Sequence, residues 1–310
     1  MAALHLTVVI PAHNPDPGRL RDTLLGLRAQ TLPADRWDTT LIDNASARWP
    51  EPAFFTGCAP ANFAIVHEPT LGLSAARRAG LRAATGEFAV FVDDDNVLAP
   101  DYLEQALACF ARLPRLGAAG GRTLPRFEVE PDAWQREFFP LLALRDLGEM
   151  ELLSHGLRPH GAARNEYPPF APIGAGMVLR RAAWETWLQS DSDLSDRRGA
   201  ELTSAGDNDI VLTLMKNDWE VGYFPELSLD HLIPAQRLEP AYLARLNCGI
   251  QQSWMRVLTR HDANPWLPLG RGGATLRKLK AWFTYRAWSG PAARIRWRGA
   301  CGHFDGRVAA

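Results

Sequence analysis

Three consecutive carboxylates, Asp93-Asp94-Asp95, close an uninterrupted apolar run, FAVFV at Phe88–Val92. Carboxylates at the end of a buried strand are costly unless a cation or hydrogen-bond donors receive them. Asp93 and Asp95 have the D-x-D spacing, which in a turn points two carboxylates toward one side. That arrangement suits a hard divalent ion whose remaining ligands come from a diphosphate. The competing explanation is an acidic helix cap, because Asn96 and Pro100 follow and a helix is predicted from Asp101. A calcium loop fails on composition. Glu104 is twelfth from Asp93, but Val97 and Leu98 stand where a ligand and a glycine are required.

The elements that must hold this turn alternate in the first half of the chain. Strand-like runs are His5–Ile10, Thr39–Asp43, Phe63–Glu68 and Phe88–Val92, and helix-like runs are Arg19–Gln30, Leu73–Ala84 and Asp101–Leu113. Runs such as VVI and FAVFV suit strands covered on both faces, so the predicted class is α/β with a mostly parallel, Rossmann-like sheet flanked by helices. Ligands in such sheets bind at the carboxyl ends of strands, where Asp43 and Asp93–Asp95 fall. The second half predicts a helix over Ala133–Gly148, a strand Met177–Leu179, a helix from near Asp207, a strand Val221–Phe224 and a long helix Ala241–His261. We expect one domain over residues 1–262, with a nucleotide half to about 120 and an acceptor half beyond it, followed by an extension over 263–310.

At this point the chain resembles glycosyltransferase family 2, inverting enzymes of GT-A fold, and within it the bacterial polysaccharide-biosynthesis glycosyltransferases. The resemblance rests on four ordered blocks: Val9-Ile10-Pro11-Ala12-His13-Asn14, Leu41-Ile42-Asp43-Asn44-Ala45-Ser46, Gly72-Leu73-Ser74-Ala75-Ala76-Arg77, and FAVFV running into Asp93–Asp95. It implies that Pro11, Asn14, Asp43 and Ser46 line the base and ribose pocket and that Arg77 sits near the nucleotide. Asp93 and Asp94 would lie near ribose and phosphate, and Asp95, with Asp93, on a Mg²⁺ or Mn²⁺ ion. Arg78 stands where the family often has Asn, which leaves open which arginine faces the nucleotide. Read alone, Asp43–Ser46 is also an ordinary Asx turn.

Displacement at an anomeric carbon requires a base for the acceptor hydroxyl. The family's E-D-x-[DE]-L block corresponds to Gly206-Asp207-Asn208-Asp209-Ile210, which implies Asp207 as base and Asp209 as the alternative. Asp207 also reads as a helix N-cap. Pro172-Ile173-Gly174-Ala175-Gly176-Met177 matches a segment just before the acceptor site, which puts Gly174 and Gly176 on the acceptor side. Asp230-His231-Leu232-Ile233-Pro234-Ala235-Gln236-Arg237-Leu238 is similar to an H-x-I-P-x-x-R-L segment. It implies that His231 completes the metal shell and that Arg237 neutralises the diphosphate. The Q-x-x-R-W signature of processive synthases is missing, so one sugar per encounter is expected.

Overall charge conceals an asymmetry. The 310 residues carry 34 basic and 35 acidic side chains, yet residues 271–310 hold nine Lys or Arg and a single acid, Asp305. Trp282, Phe283, Tyr285, Trp288 and Trp297 interleave with these cations, which suits an anionic lipid surface and equally a helix packed on an acidic body. No nucleic-acid module is recognisable. Cys58, Cys109, Cys248 and Cys301 lie too far apart for a metal knuckle and read as core residues. The expected protein is cytoplasmic, and peripheral membrane contact through its C-terminal extension stands open as one of these two readings. Its partners would be a nucleotide-sugar donor and a glycan or lipid-linked acceptor, and its activity metal-dependent transfer. A sugar nucleotidyltransferase is disfavoured because the first strand runs into Pro-Ala-His-Asn rather than a Gly-rich phosphate loop. A non-catalytic binding module is disfavoured because both carboxylate sites are present.

Overall fold

The computed structural model describes residues 5–154, 167–190 and 202–308. In chain order the first elements are β1 (Leu6–Ala12), α1 (Pro17–Arg28), β2 (Trp37–Asn44), a short α2 (Pro52–Thr56), β3 (Phe63–Glu68), α3 (Leu73–Ala83) and β4 (Phe88–Phe91). The four strands pair in parallel in the order β3-β2-β1-β4. Every residue of β1 is buried, because both faces are covered. Leu6, Val8 and Ile10 pack with Leu20, Leu24 and Leu27 of α1, while Val9 packs with Ala76 and Leu81 of α3. Double coverage explains the continuous apolar runs and the commitment to an α/β architecture.

Beyond β4 come β5 (Asn96–Leu98), α4 (Tyr102–Arg112), β6 (Leu116–Phe127), a 3-10 helix Ala133–Leu142, β7 (Leu152–Ser154), β8 (Val178–Arg180), α5 (Arg181–Leu188), α6 (Gly206–Lys216) and β9 (Glu220–Ile233). Here the sheet becomes mixed. β8 is antiparallel to both β4 and β6, β6 is parallel to β9, and β5 and β7 pair antiparallel with β9. Pairing is wholly parallel in the N-terminal half, parallel and antiparallel neighbours mix in the second, and the acidic residues stand where the chain leaves the first.

Three elements differ from the sequence expectation. β6, over which no strand is predicted, contains Gly120, Gly121 and Pro125; a Cβ on Gly121 would lie 2.0 Å from the Leu227 carbonyl oxygen, so glycine is what allows β6 to approach β9. The helix expected over Ala133–Gly148 is a 3-10 helix that ends at Leu142, with Pro140 inside it and Ala143 at φ 57°. β9 runs to Ile233, far beyond Phe224, and so carries His231 within a strand.

The chain ends in α7 (Pro240–Arg260), α8 (Arg271–Thr284) and α9 (Pro291–Gly306). α9 seats closely on α7 through small residues. A Cβ on Gly302 would lie 2.0 Å from the Cys248 carbonyl oxygen, and one on Gly306 2.5 Å from that of Gln252. Among the described residues no helix is long and apolar enough to cross a membrane.

Candidate active site

The acidic turn is fixed by backbone before any side chain is considered. The N–H of Asn96 donates to the Asp93 carbonyl (3.0 Å) and the N–H of Leu232 to the Asp95 carbonyl (2.8 Å). β5 then pairs Asn96 with His231 of β9, which brings a histidine distant in sequence beside Asp95. His231 Nε2 lies 3.4 Å from Asp95 Oδ1, and both side chains are 5% exposed. Arg237 completes the group. Its NH2 is 2.7 Å from Asp95 Oδ2 and its NH1 donates to His231 Nε2 at 2.9 Å. That bond assigns Nε2 as the acceptor and puts the ring proton on Nδ1, which is buried without a hydrogen-bond partner among the described residues.

Charge is concentrated here. Burial, with Asp95 and Asp93 adding to it, pushes the Asp94 carboxyl up to about 7, and Arg237 and Arg19 oppose the shift. Among the described residues no preassembled group of three or more His, Cys, Asp or Glu side chains encloses a metal. The donor atoms nevertheless suit one. Asp95 Oδ2 and His231 Nε2 converge on a single cationic group, the Arg237 guanidinium, and two protein ligands suffice where a diphosphate supplies the other oxygens.

These residues open on a cavity of about 400 Å³, within the usual range for ligand pockets. Its walls are Pro11, Ala12 and His13 at the end of β1, Asn44 at the end of β2, Leu73 and Ala76 of α3, and Asp93, Asp94 and Asp95. Leu141–Ala143, Leu202, His231, Arg237, and Tyr242 and Leu246 of α7 complete them. α3 begins without a side-chain cap, so its first N–H groups are available to an anion at this wall.

The two adjacent arginines point differently. Arg77 is buried, stacks over the Phe91 ring at 5.1 Å and places NH2 3.7 Å from Asp93 Oδ1. Arg78 lies over Trp187 and donates to the Leu188 and Ser190 carbonyls, so Arg77 is the arginine on the acidic turn. Gly174 packs against Arg77, where a Cβ would lie 2.2 Å from NH2. The Gly174 N–H donates to Asp207 Oδ2 at 3.1 Å. A continuous series of contacts therefore runs Asp93, Arg77, Gly174, Asp207. Asp207 also accepts from the Asn208 N–H at 2.9 Å and is only partly buried at the start of α6.

Other expected residues fall outside the cavity wall. Asp209, expected as the alternative base, is buried and tied by its partners: it accepts from Trp187 Nε1 and pairs with His261 Nε2, each at 2.8 Å, with Arg260 Nε at 3.6 Å. Carried on α6, it joins α5 to the end of α7 and faces away from solvent. Gly176, at φ +74°, donates its N–H to the Phe91 carbonyl and accepts from the Tyr102 hydroxyl, so it locks the turn before β8 onto β4. Asn14, Asp43 and Ser46 form a rim network. The Asn14 N–H donates to Ser46 Oγ (2.9 Å), the Ser46 N–H to Asp43 Oδ1 (3.1 Å), and the Arg48 N–H to Asn14 Oδ1 (2.8 Å).

Sequence reasoning missed the side chains that line the pocket beside them. His13 is held by the Asn44 carbonyl and the Asn14 amide, and Asn44 accepts the Gly72 N–H at 2.8 Å while donating to the Thr70 carbonyl at 2.7 Å. Both stand in the sequence blocks that carry the family resemblance, adjacent to Asn14 and Asp43. Leu141, Leu142, Tyr242 and Leu246 had no local signal, because ordinary apolar residues become pocket walls only through packing.

The parallel half-sheet, the mixed extension and an acidic turn between them define a mixed α/β fold of the GT-A glycosyltransferase class. Consistent with this, the structure resembles the crystal structure of S. aureus TarS residues 1–349 with a TM-score of 0.53, covering 98% of this chain and 90% of that one at 14% identity. Residues 7–187 match the family Glycosyl transferase family 2, and the chain belongs to it. Curated relatives include the putative glycosyltransferase EpsH of Bacillus subtilis, 36% identical over 89 residues (28% of this chain, 25% of that protein). The succinoglycan biosynthesis protein ExoW of Rhizobium meliloti is 34% identical over 112 residues, 34% of each. The matched region thus spans only about a quarter to a third of these relatives.

Proposed function

We propose that the protein is an inverting, metal-dependent glycosyltransferase that moves one sugar per encounter from a nucleotide-sugar to a hydroxyl of a glycan or lipid-linked acceptor in polysaccharide synthesis. The observation that carries this reading is the convergence of Asp95 Oδ2 and His231 Nε2 on one cationic position inside a cavity walled by Asp93 and Asp94. Family membership supports the reaction class, and the name of ExoW supports the biosynthetic setting.

Asp95 and His231, with Asp93 beside them, would hold Mg²⁺ or Mn²⁺. Bound there, the ion would neutralise charge on the departing diphosphate. Pro11, His13 and Asn44 would receive the nucleoside, with Asn14, Asp43 and Ser46 keeping the rim in shape. Arg77 would hold Asp93 in position. Arg237 would turn from Asp95 to the diphosphate oxygens once a metal occupies its place, because a guanidinium suits phosphate as well as carboxylate. Asp207 would accept the acceptor's hydroxyl proton, aligned by the Gly174 N–H. Preorganised charge at the leaving group is the larger expected contribution to rate.

Release of nucleoside diphosphate from a panel of sugar nucleotides, with and without Mn²⁺, tests the reading. Metal-dependent release from at least one donor is expected, and no binding or turnover of any donor would count against it.

A further inference from the structure

Helix α8 is built inside out for a surface helix of a water-soluble protein. Its small residues Ala274 and Ala281 are buried, whereas Leu276, Leu279 and Phe283, at i, i+3 and i+7 on the opposite face, are 69%, 56% and 61% exposed. The inner face is held by named contacts: Lys278 Nζ to Asp305 Oδ1 at 2.5 Å, Trp297 Nε1 donating to the Lys278 carbonyl at 3.1 Å, and Trp282 edge-on to Trp297 at 4.7 Å. The helix is therefore anchored with its apolar face outward.

That face continues past the helix end. Tyr285 and Trp288 are 41% and 56% exposed, and seven of the thirteen exposed large apolar or aromatic side chains among the described residues fall within 266–288. Arg277, Lys280 and Arg286 stand exposed around the stripe, and the segment's single acid, Asp305, is occupied by Lys278 on the inner side.

We propose that this face docks on an anionic lipid surface, with Leu276, Leu279, Phe283 and Trp288 entering the headgroup boundary and Arg277, Lys280 and Arg286 contacting lipid phosphates. Two features select this occupant. Cations bordering an apolar stripe, with Trp and Tyr at its end, match the boundary between acyl chains and charged headgroups. Pairing with a second copy would bring like charges together across the same stripe. The surface lies on the layer outside α9, away from the cavity wall, and its role is independent of which donor the site accepts.

Flotation of the full chain with vesicles tests this. Recovery with phosphatidylcholine vesicles containing phosphatidylglycerol is expected to exceed recovery with phosphatidylcholine alone by about tenfold. It should be lost in L276S/L279S/F283S and, independently, in R277E/K280E/R286E, each confirmed folded by circular dichroism. A chain that stays soluble with anionic vesicles would overturn the proposal. So would unchanged recovery of both variants, or a dimer in light scattering that L276S/L279S/F283S dissociates, since the face would then pair copies.

Discussion

The guanidinium of Arg237 lies 2.7 Å from Oδ2 of Asp95, while its other terminal nitrogen donates to His231 Nε2. A basic side chain thus occupies the point toward which two candidate metal ligands are directed. Burial lowers the pKa of Arg237, but Asp95, then Tyr242, Asp94 and Asp93, together raise it further, so the guanidinium stays charged and serves as the internal counter-ion of the acidic turn.

If Arg237 holds the place of a divalent cation, its removal should be repaired by one. Arg237→Ala is expected to lose about 2 kcal/mol of stability, because Asp95, only 5% exposed, loses its nearest positive charge. Thermal melting should show Mn²⁺ raising the Tm of the variant more than that of the parent. A smaller Mn²⁺ effect in the variant would mean that arginine and metal do not share the position.

The two acids of α6 should separate cleanly. Asp207→Asn is expected to lower kcat by roughly 10²–10⁴-fold with little change in Tm, as for loss of a general base. Asp209→Asn should instead cost about 2–4 kcal/mol, because it removes the charge that joins Trp187, His261 and Arg260 in a buried setting. Chemical denaturation and turnover, measured on both variants, distinguish the roles.

Gly174 sits between the donor and acceptor chemistry, so the smallest substitution there should disturb both. The Cβ of Gly174→Ala would meet Arg77, which is confined between Phe91 and this turn. We expect a loss of about 1–3 kcal/mol from overpacking and a fall in kcat/KM larger than that produced by Gly57→Ala, a position outside the cavity wall with ordinary backbone (φ −89°) and open space around its Cβ. Steady-state kinetics and urea titration of both variants check it.

The seat of the C-terminal layer rests on Gly302. Gly302→Val would drive a side chain into the Cys248 carbonyl and is expected to cost about 1–3 kcal/mol. Limited proteolysis should then release α8 and α9 sooner than in the parent, a difference visible by mass spectrometry.

The N-terminal half was legible because its strands are buried on both faces and therefore announce themselves as short apolar runs that end in acid. Asp93 and Asp95 could be read as a pair from spacing alone. Their approach to His231 could not, because it depends on β5 pairing with β9, and β5 is three residues inside what reads as a turn and helix cap. β6 was hidden for the opposite reason, since Gly120, Gly121 and Pro125 make a strand look like a loop when the close neighbour that requires them is unseen. Asp207 and Asp209 are two residues apart in one acidic block, and the turn of a helix puts one beside Gly174 and the other against His261.

Asp95 is the residue on which metal-dependent transfer would turn most. Nucleoside diphosphate release from the preferred sugar nucleotide, compared with Mn²⁺ and with excess chelator for the parent and Asp95→Asn, measures that dependence directly. The predicted result is turnover that requires the metal in the parent and falls by at least about 10²-fold in Asp95→Asn. Full turnover in chelator, or an Asp95→Asn enzyme as active as the parent, would contradict it.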